Sequence, residues 1–305
     1  MIRRDPSKNA LHARQPCHRG FSLIEILVVI ALLSVIILGL LLMFNQTQRA
    51  FRTGMTQVDV LQGARAATEI IARELSQMTP AYLRNIENFR AETTTLSPLL
   101  QPLPGVNTAQ RVNYSQDLFF LTRQNLEWHG IGYFVRTNDV VTRTLGIPDP
   151  PVGTLYRFHT NYPDQYFRKN QLAFSQAFRA ARFREDGASR VLDGIVHFKI
   201  RAYNPEGRLI VSGLPGNPTN SIVVPYPPSS VTTGEVRLYS FPSNTVPAFV
   251  EFELGILEQR TLERANSITE AVARRNYLQR EGQAGRVHVF RLRVPVRNVD
   301  PTAYQ

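Results

Sequence analysis

The sequence predicts an α+β protein in which a long N-terminal helix packs on a head of antiparallel β-sheet. Three observations carry this. Residues 21–44 form an apolar run of 24 with one ionisable side chain, Glu25. Residues 45–78 continue it with apolar positions spaced by three and four. Beyond Pro80 the pattern changes to short aromatic and β-branched runs separated by turn residues.

The apolar run comes first. At about 1.5 Å per residue it spans roughly 36 Å, enough to cross a hydrocarbon core of about 30 Å, so residues 21–44 are expected to be a transmembrane helix. A buried soluble helix seldom runs this long without a polar face. A carboxylate in such a segment costs on the order of 2.5–3.5 kcal/mol at the bilayer centre and less near an end. Glu25 lies about one turn from Phe21. It either reaches water at the interface or waits for a positive partner, such as a free α-amino group on residue 21. That amine exists only if the chain is cut between Gly20 and Phe21.

Residues 1–20 fit removal. They hold Arg3, Arg4, Lys8, Arg14 and Arg19 against one acid, Asp5, and no apolar stretch. A secretory signal differs, since its cleavage site follows the apolar region and has small residues. Here the candidate bond precedes the run, which would stay on the mature protein. The basic excess before the segment, with only Arg49 and Arg52 close behind it, places the N-terminus in the cytoplasm and the rest across the inner membrane.

Gly20, Phe21, Ser22, Leu23, Ile24 and Glu25, followed by ILVVIALL, resemble the class III signal of type IV pilins and type II secretion pseudopilins. The resemblance implies that a prepilin peptidase cuts after Gly20 and methylates Phe21. It also implies that Glu25 serves assembly by pairing with the N-terminal amine of a neighbouring subunit. The partners implied are other pilin or pseudopilin subunits, the peptidase and the inner membrane.

Residues 45–79 read as an amphipathic continuation of the helix. Phe51, Met55, Val58 and Leu61 form one stretch of stripe, and Ile71, Leu75 and Met78 another. Gly54 and Gly63 weaken it by about 1 kcal/mol each relative to Ala. Pro80 ends it. The first half is expected to face lipid and the second to pack on the head. Many major pilins carry a mid-segment proline, and residues 21–79 have none. ARAATEIIARELSQM at 64–78, with GIGYFVRT, TLYRFHT and VLDGIVHFKIRAYNPEGRLIV further on, is similar to the J-type minor pseudopilin and W-type minor pilin group.

Residues 80–305 are the expected periplasmic α+β head. Residues 80–116 hold several prolines and little periodicity, and read as loop with short elements. DLFFLTR at 117–123 and GIGYFVRT at 130–137 suggest a hairpin around QNLEWH. IVHFKIRAY at 195–203 alternates, with Ile195, His197, Lys199 and Arg201 on a wet face and Val196, Phe198, Ile200 and Ala202 on a dry one. NPEG at 204–207 is a turn, and RLIVSG a return strand. Residues 213–247, rich in Pro, Ser, Thr and Asn, read as an irregular surface loop. AFVEFELGIL at 248–257 is a strand, residues 259–281 are helical, and VHVFRLRVPVR at 287–297 is a strand that Pro295 places at an edge.

Composition excludes several functions. The net charge is +11, and losing residues 1–20 would lower it to +7. The only cysteine, Cys17, lies in that leader, so the mature chain has neither thiol nor disulfide and no Cys ligand for a metal. No cofactor or metal is expected. His129, His159, His197 and His288 stand at no metal spacing. GxSxG, HExxH and P-loop patterns are absent beyond the leader, as are acidic clusters suited to calcium. Asp149 stands alone between prolines, and Glu185, Asp186 and Gly187 make a turn. No enzyme is expected. Arg179, Arg182, Arg184 and Arg190, and then Arg291, Arg293 and Arg297, admit an alternative: a nucleic-acid- or surface-binding tip subunit of a DNA-uptake or adhesive pilus. Phe174, Phe178 and Ala181, at helical spacing, instead make YFRKNQLAFSQAFRAARFR an amphipathic helix with its arginines in water. The reading adopted is a minor pilin or pseudopilin subunit.

Overall fold

The computed structural model describes residues 22–93, 98–103, 105, 109–136, 152–184, 187–218, 220–226, 235–280 and 282–305. The chain divides into two units, Met1–Met55 and Thr56–Gln305. Helix α1, Leu23–Ser76, begins in the first and ends in the second.

In the second unit a nine-stranded antiparallel sheet runs in the order β11-β10-β7-β6-β5-β4-β1-β9-β8. Its strands are β1 Leu83–Thr93, β4 Gln116–Gln124, β5 Glu127–Arg136, β6 Gly153–Pro163, β7 Ala188–Tyr203, β8 Ile222–Pro225, β9 Val236–Ser243, β10 Phe249–Leu257 and β11 Val287–Pro295. Strands β2 Leu99–Pro102 and β3 Gln110–Asn113 form a separate two-stranded ribbon. The predicted α+β class is the observed one.

Each face of the sheet needs a cover, and each has one. On the first face Ala64, Ala67, Ile71, Leu75 and Met78 of the helix and its end pack with Phe89, Phe120, Tyr133, Phe198 and Phe252. The expected stripe begins later than read. Phe51 and Met55 are 65% and 66% exposed, and burial starts at Ala64. Small residues at 64 and 67 let the helix backbone lie close to the strands. Glu74 fixes the helix on the sheet. Arg157 donates to it from Nε at 3.0 Å and from its terminal nitrogen at 2.7 Å, and the Tyr133 hydroxyl donates to its other oxygen.

On the second face lie α2, Asp164–Lys169, and α3, Ala173–Arg184. Phe167, Phe174, Phe178 and Ala181 are buried there against Phe119, Leu121, Trp128, Phe134 and Phe158, as the spacing predicts. Gly130 and Gly132 permit this contact. A Cβ at Gly130 would stand 2.5 Å from the Phe174 ring, and one at Gly132 would stand 2.3 Å from the Phe178 ring. A third cluster joins Leu262 and Ala265 of α4, Gln259–Asn266, and Leu278 of α5, Ala271–Leu278, to Val196, Leu257 and Val287.

Several expectations change. Residues 83–93 are not loop but a strand inside the sheet. Register shifts between Leu83 and Phe89 hide its alternation. Buried Asn88 holds the irregular part by accepting from Ala81 N–H and donating to the Ser243 and Thr245 carbonyls. Residues 213–247 contain β8 and β9, with Tyr239 and Phe241 in the core. RLIVSG forms no strand: one bridge joins Leu209 to Tyr203, and Ile210 enters the core. Residues 259–281 split into two short helices. The β4–β5 hairpin is confirmed but tighter than read, turning at Asn125, whose φ is 55°. Strand β11 takes the edge that Pro295 suggested. Asp149, Glu185 and Asp186 lie outside the described residues.

The wet face assigned to β7 is also revised. Ile195 faces the core, because a register shift against Gly255–Ile256 reverses the alternation at Val196. His197 and Lys199 are each only 5% exposed. They are buried because acids meet them, Glu253 from the adjacent β10 and Glu235 from just ahead of β9. Lys199 contacts Glu235 at 2.6 Å, and Arg201 and Arg291 contact Glu251 at 3.1 and 2.8 Å. His197 accepts from Tyr114 N–H at Nδ1, which leaves Nε2–H to donate to Glu253 at 3.2 Å. Burial holds the His197 imidazole below its ordinary range despite Glu253. The His197 hydrogen bond, with Arg201 nearby, lowers the Glu253 carboxyl to about 2.

Glu74→Ala should lower the unfolding free energy of the head by about 2–4 kcal/mol, because Tyr133 and Arg157 lose a shared, partly buried acceptor. Denaturant unfolding of the solubilised protein reads this. Stability should also fall on acidification. Below pH about 6.5 the unfolded imidazole takes a proton that buried His197 resists. Below about 4.5 the contribution of Glu253 is lost progressively toward 2. His197→Gln should flatten the decline in unfolding temperature between pH 7 and 5.

Candidate functional site

The candidate site is the start of α1. The most apolar 18-residue window of Leu23–Phe51 has a mean hydropathy of 3.3 and none of it is buried, so this stretch is long and apolar enough to cross a membrane. Leu23, Ile24 and Leu42 are exposed at 83%, 73% and 63%. Such a surface is stable in hydrocarbon or against other apolar helices. Its hydroxyls make no demand on lipid, since Ser34 and Thr47 donate to the carbonyls of Ile30 and Met43 at 2.8 and 2.9 Å. With no proline between residues 21 and 79, no backbone acceptor is orphaned by a missing N–H.

Glu25 stands in the first turn. Its N–H donates to the Ser22 hydroxyl at 3.3 Å and to the Ser22 carbonyl at 3.0 Å. Ser22 therefore caps the helix, and Glu25 occupies the third helical position. Ser-x-x-Glu is the spacing of a capping box, a sequence signal overlooked above. The carboxylate sits where unpaired N–H groups make the helix end positive, which offsets about 0.3–1 kcal/mol of its cost. The rest of that cost has no partner among the described residues. Gly20 and Phe21, the other two predicted site residues, lie outside them.

Among the described residues no group of three or more His, Cys, Asp or Glu side chains converges as a metal site. Several of the head's arginines are engaged. Arg182 meets the buried Asp117 at 2.6 Å, and Arg190 pairs with Asp193. Arg293 lies over the Tyr203 and Phe249 rings at 4.0 and 4.7 Å. Burial raises the Asp117 carboxyl to about 7 against the pull of Arg182. The sheet does bring together two histidines that are 30 residues apart in sequence. His129 Nδ1 and His159 Nε2 lie 3.1 Å from each other.

Ser22→Ala should speed amide hydrogen exchange at Glu25 and the next residues in detergent micelles while leaving exchange at Ile30–Leu42 unchanged. Unaltered exchange at Glu25 would remove the cap.

Residues 16–41 match the family model described as the prokaryotic N-terminal methylation motif. No curated protein and no solved structure matches the chain. The matched segment contains Gly20, Phe21 and Glu25, and it covers the start of the exposed helix. That match, joined to an apolar N-terminal helix, supports a membrane-anchored structural subunit of the pilin or pseudopilin type.

Proposed function

We propose that the chain is a minor pilin or pseudopilin subunit of a type IV pilus or a type II secretion pseudopilus, of the kind seen in the J-type and W-type groups, placed near the filament tip. The precursor sits in the bacterial inner membrane with its basic leader in the cytoplasm and its head in the periplasm. Prepilin peptidase removes residues 1–20 by cutting between Gly20 and Phe21, and Phe21 is N-methylated. The apolar helix then packs among the helices of neighbouring subunits.

The single observation that carries this reading is Glu25: a lone carboxylate, exposed in the first turn of an otherwise apolar helix and inside the methylation motif. Capping and the helix dipole offset only part of its cost in lipid. The α-amino group of an adjoining subunit supplies the remaining positive charge and sets the axial register between subunits. The absence of a mid-segment proline favours a minor rather than a major subunit.

Mass spectrometry of the mature N-terminus should find N-methylated Phe21; retention of Met1 would defeat the reading. Glu25→Val should leave cleavage and membrane insertion intact and reduce recovery in sheared filaments at least tenfold. Wild-type recovery of that variant would contradict the role given to the carboxylate.

A further inference from the structure

The His129–His159 pair belongs to neither the assembly helix nor the packing of the head. The two residues sit on β5 and β6, whose register is unbroken from Glu127–Pro163 to Arg136–Thr154. His129 faces Asn161 and His159 faces Ile131, so the imidazoles are diagonal neighbours on one face of the sheet. The rings lie 23° from parallel with centroids 5.3 Å apart, His159 exposed and His129 half-buried. From these observations the geometry points to a two-imidazole chelate for a borderline divalent transition ion of the zinc or nickel class, with water in the remaining positions.

Three features support it. A metal bound at about 2.0–2.1 Å by two imidazoles holds their nitrogens about 2.9–3.4 Å apart for angles near 90–110°. The observed 3.1 Å separation lies within that span. Modest rotations of the two rings would turn both lone pairs toward one point. The His159 ring is also disposed to be neutral. Burial, then Arg157 and His129, hold the His159 imidazole below its ordinary range, with Glu74 opposing. Arg157 is itself engaged by Glu74 at 2.7 Å, so its charge is partly compensated at the site. One rung further along the same face Glu127 accepts from Asn161 at 2.9 Å, which places a carboxylate close by without crowding the imidazoles. In the metal-free pair one ring donates its N–H to the other. On binding, that ring carries its proton on its other nitrogen, and each ring gives one lone pair to the ion. Nothing is oxidised and no proton need leave. Imidazole pairs suit zinc, copper and nickel and discriminate against magnesium and calcium.

The test uses the full chain in detergent micelles and the metal alone. Calorimetric titration with Zn²⁺, repeated with Ni²⁺, should show a saturable 1:1 site that weakens at least tenfold in His129→Asn and in His159→Asn and is lost in the double variant. His288→Asn should bind as the parent does, and Mg²⁺ should produce no saturable heat. Affinity should fall by at least tenfold between pH 7.5 and 5.5 as the imidazoles take protons. Unfolding temperatures of the variants matching the parent to within a few degrees establish that loss of binding is not loss of fold. No saturable Zn²⁺ binding below 1 mM, or equal binding by the double variant, overturns the proposal. Either result leaves the assembly role of Glu25 standing, since that role is read by filament recovery.

Discussion

A nine-stranded sheet has two apolar faces, and the head depends on covering both. The two covers come from distant parts of the chain. The C-terminal part of α1 lies on one face and α2 and α3 on the other. Apolar burial is not directional, so it cannot by itself fix how a helix is set on a sheet. Glu74 supplies direction on the first face, because it must receive both Arg157 and Tyr133. On the second face direction is steric: Gly130 and Gly132 form two gaps in β5 that accept the Phe174 and Phe178 rings. The aromatic helix and the glycine-bearing strand are complementary in shape.

Much of this was legible in the sequence, and the misses share a cause. Long periodic segments were read correctly, as were β4, β5, β10 and β11. Phe174, Phe178 and Ala181 gave away a packing face by spacing alone. Strands β1 and β9 were missed because their alternation is broken: β1 by the irregularity at Asn88, β9 by Ser and Pro among its last four residues. In β7 the residues alternate in sequence, but a bulge at Val196 reverses the alternation, and Ile195 lands in the core. Pattern reading also treats a lysine as a solvent marker. Lys199 is buried because Glu235, 36 residues away, comes to meet it, and no local window contains that fact. The pairing of His129 with His159 was invisible for the same reason.

The motif around Glu25 is legible because it is local: a basic stretch, a glycine, a phenylalanine and a glutamate four residues later, inside the segment that matches the methylation motif. What the sequence reading overlooked was Ser22. It makes Glu25 part of a helix cap, so on the proposed reading one residue serves both local structure and intersubunit attraction. Substitutions at 25 therefore act on two quantities, and Ser22→Ala separates them by touching only the cap.

The way the first face is covered also sets where the chain can be truncated. Within the second unit, Ala64, Ala67, Ile71 and Leu75 of the helix are part of the core of the head. A water-soluble fragment that begins before Ala64 keeps its own lid. One that begins at Pro80 uncovers an apolar sheet face and is expected to aggregate, however mild the buffer.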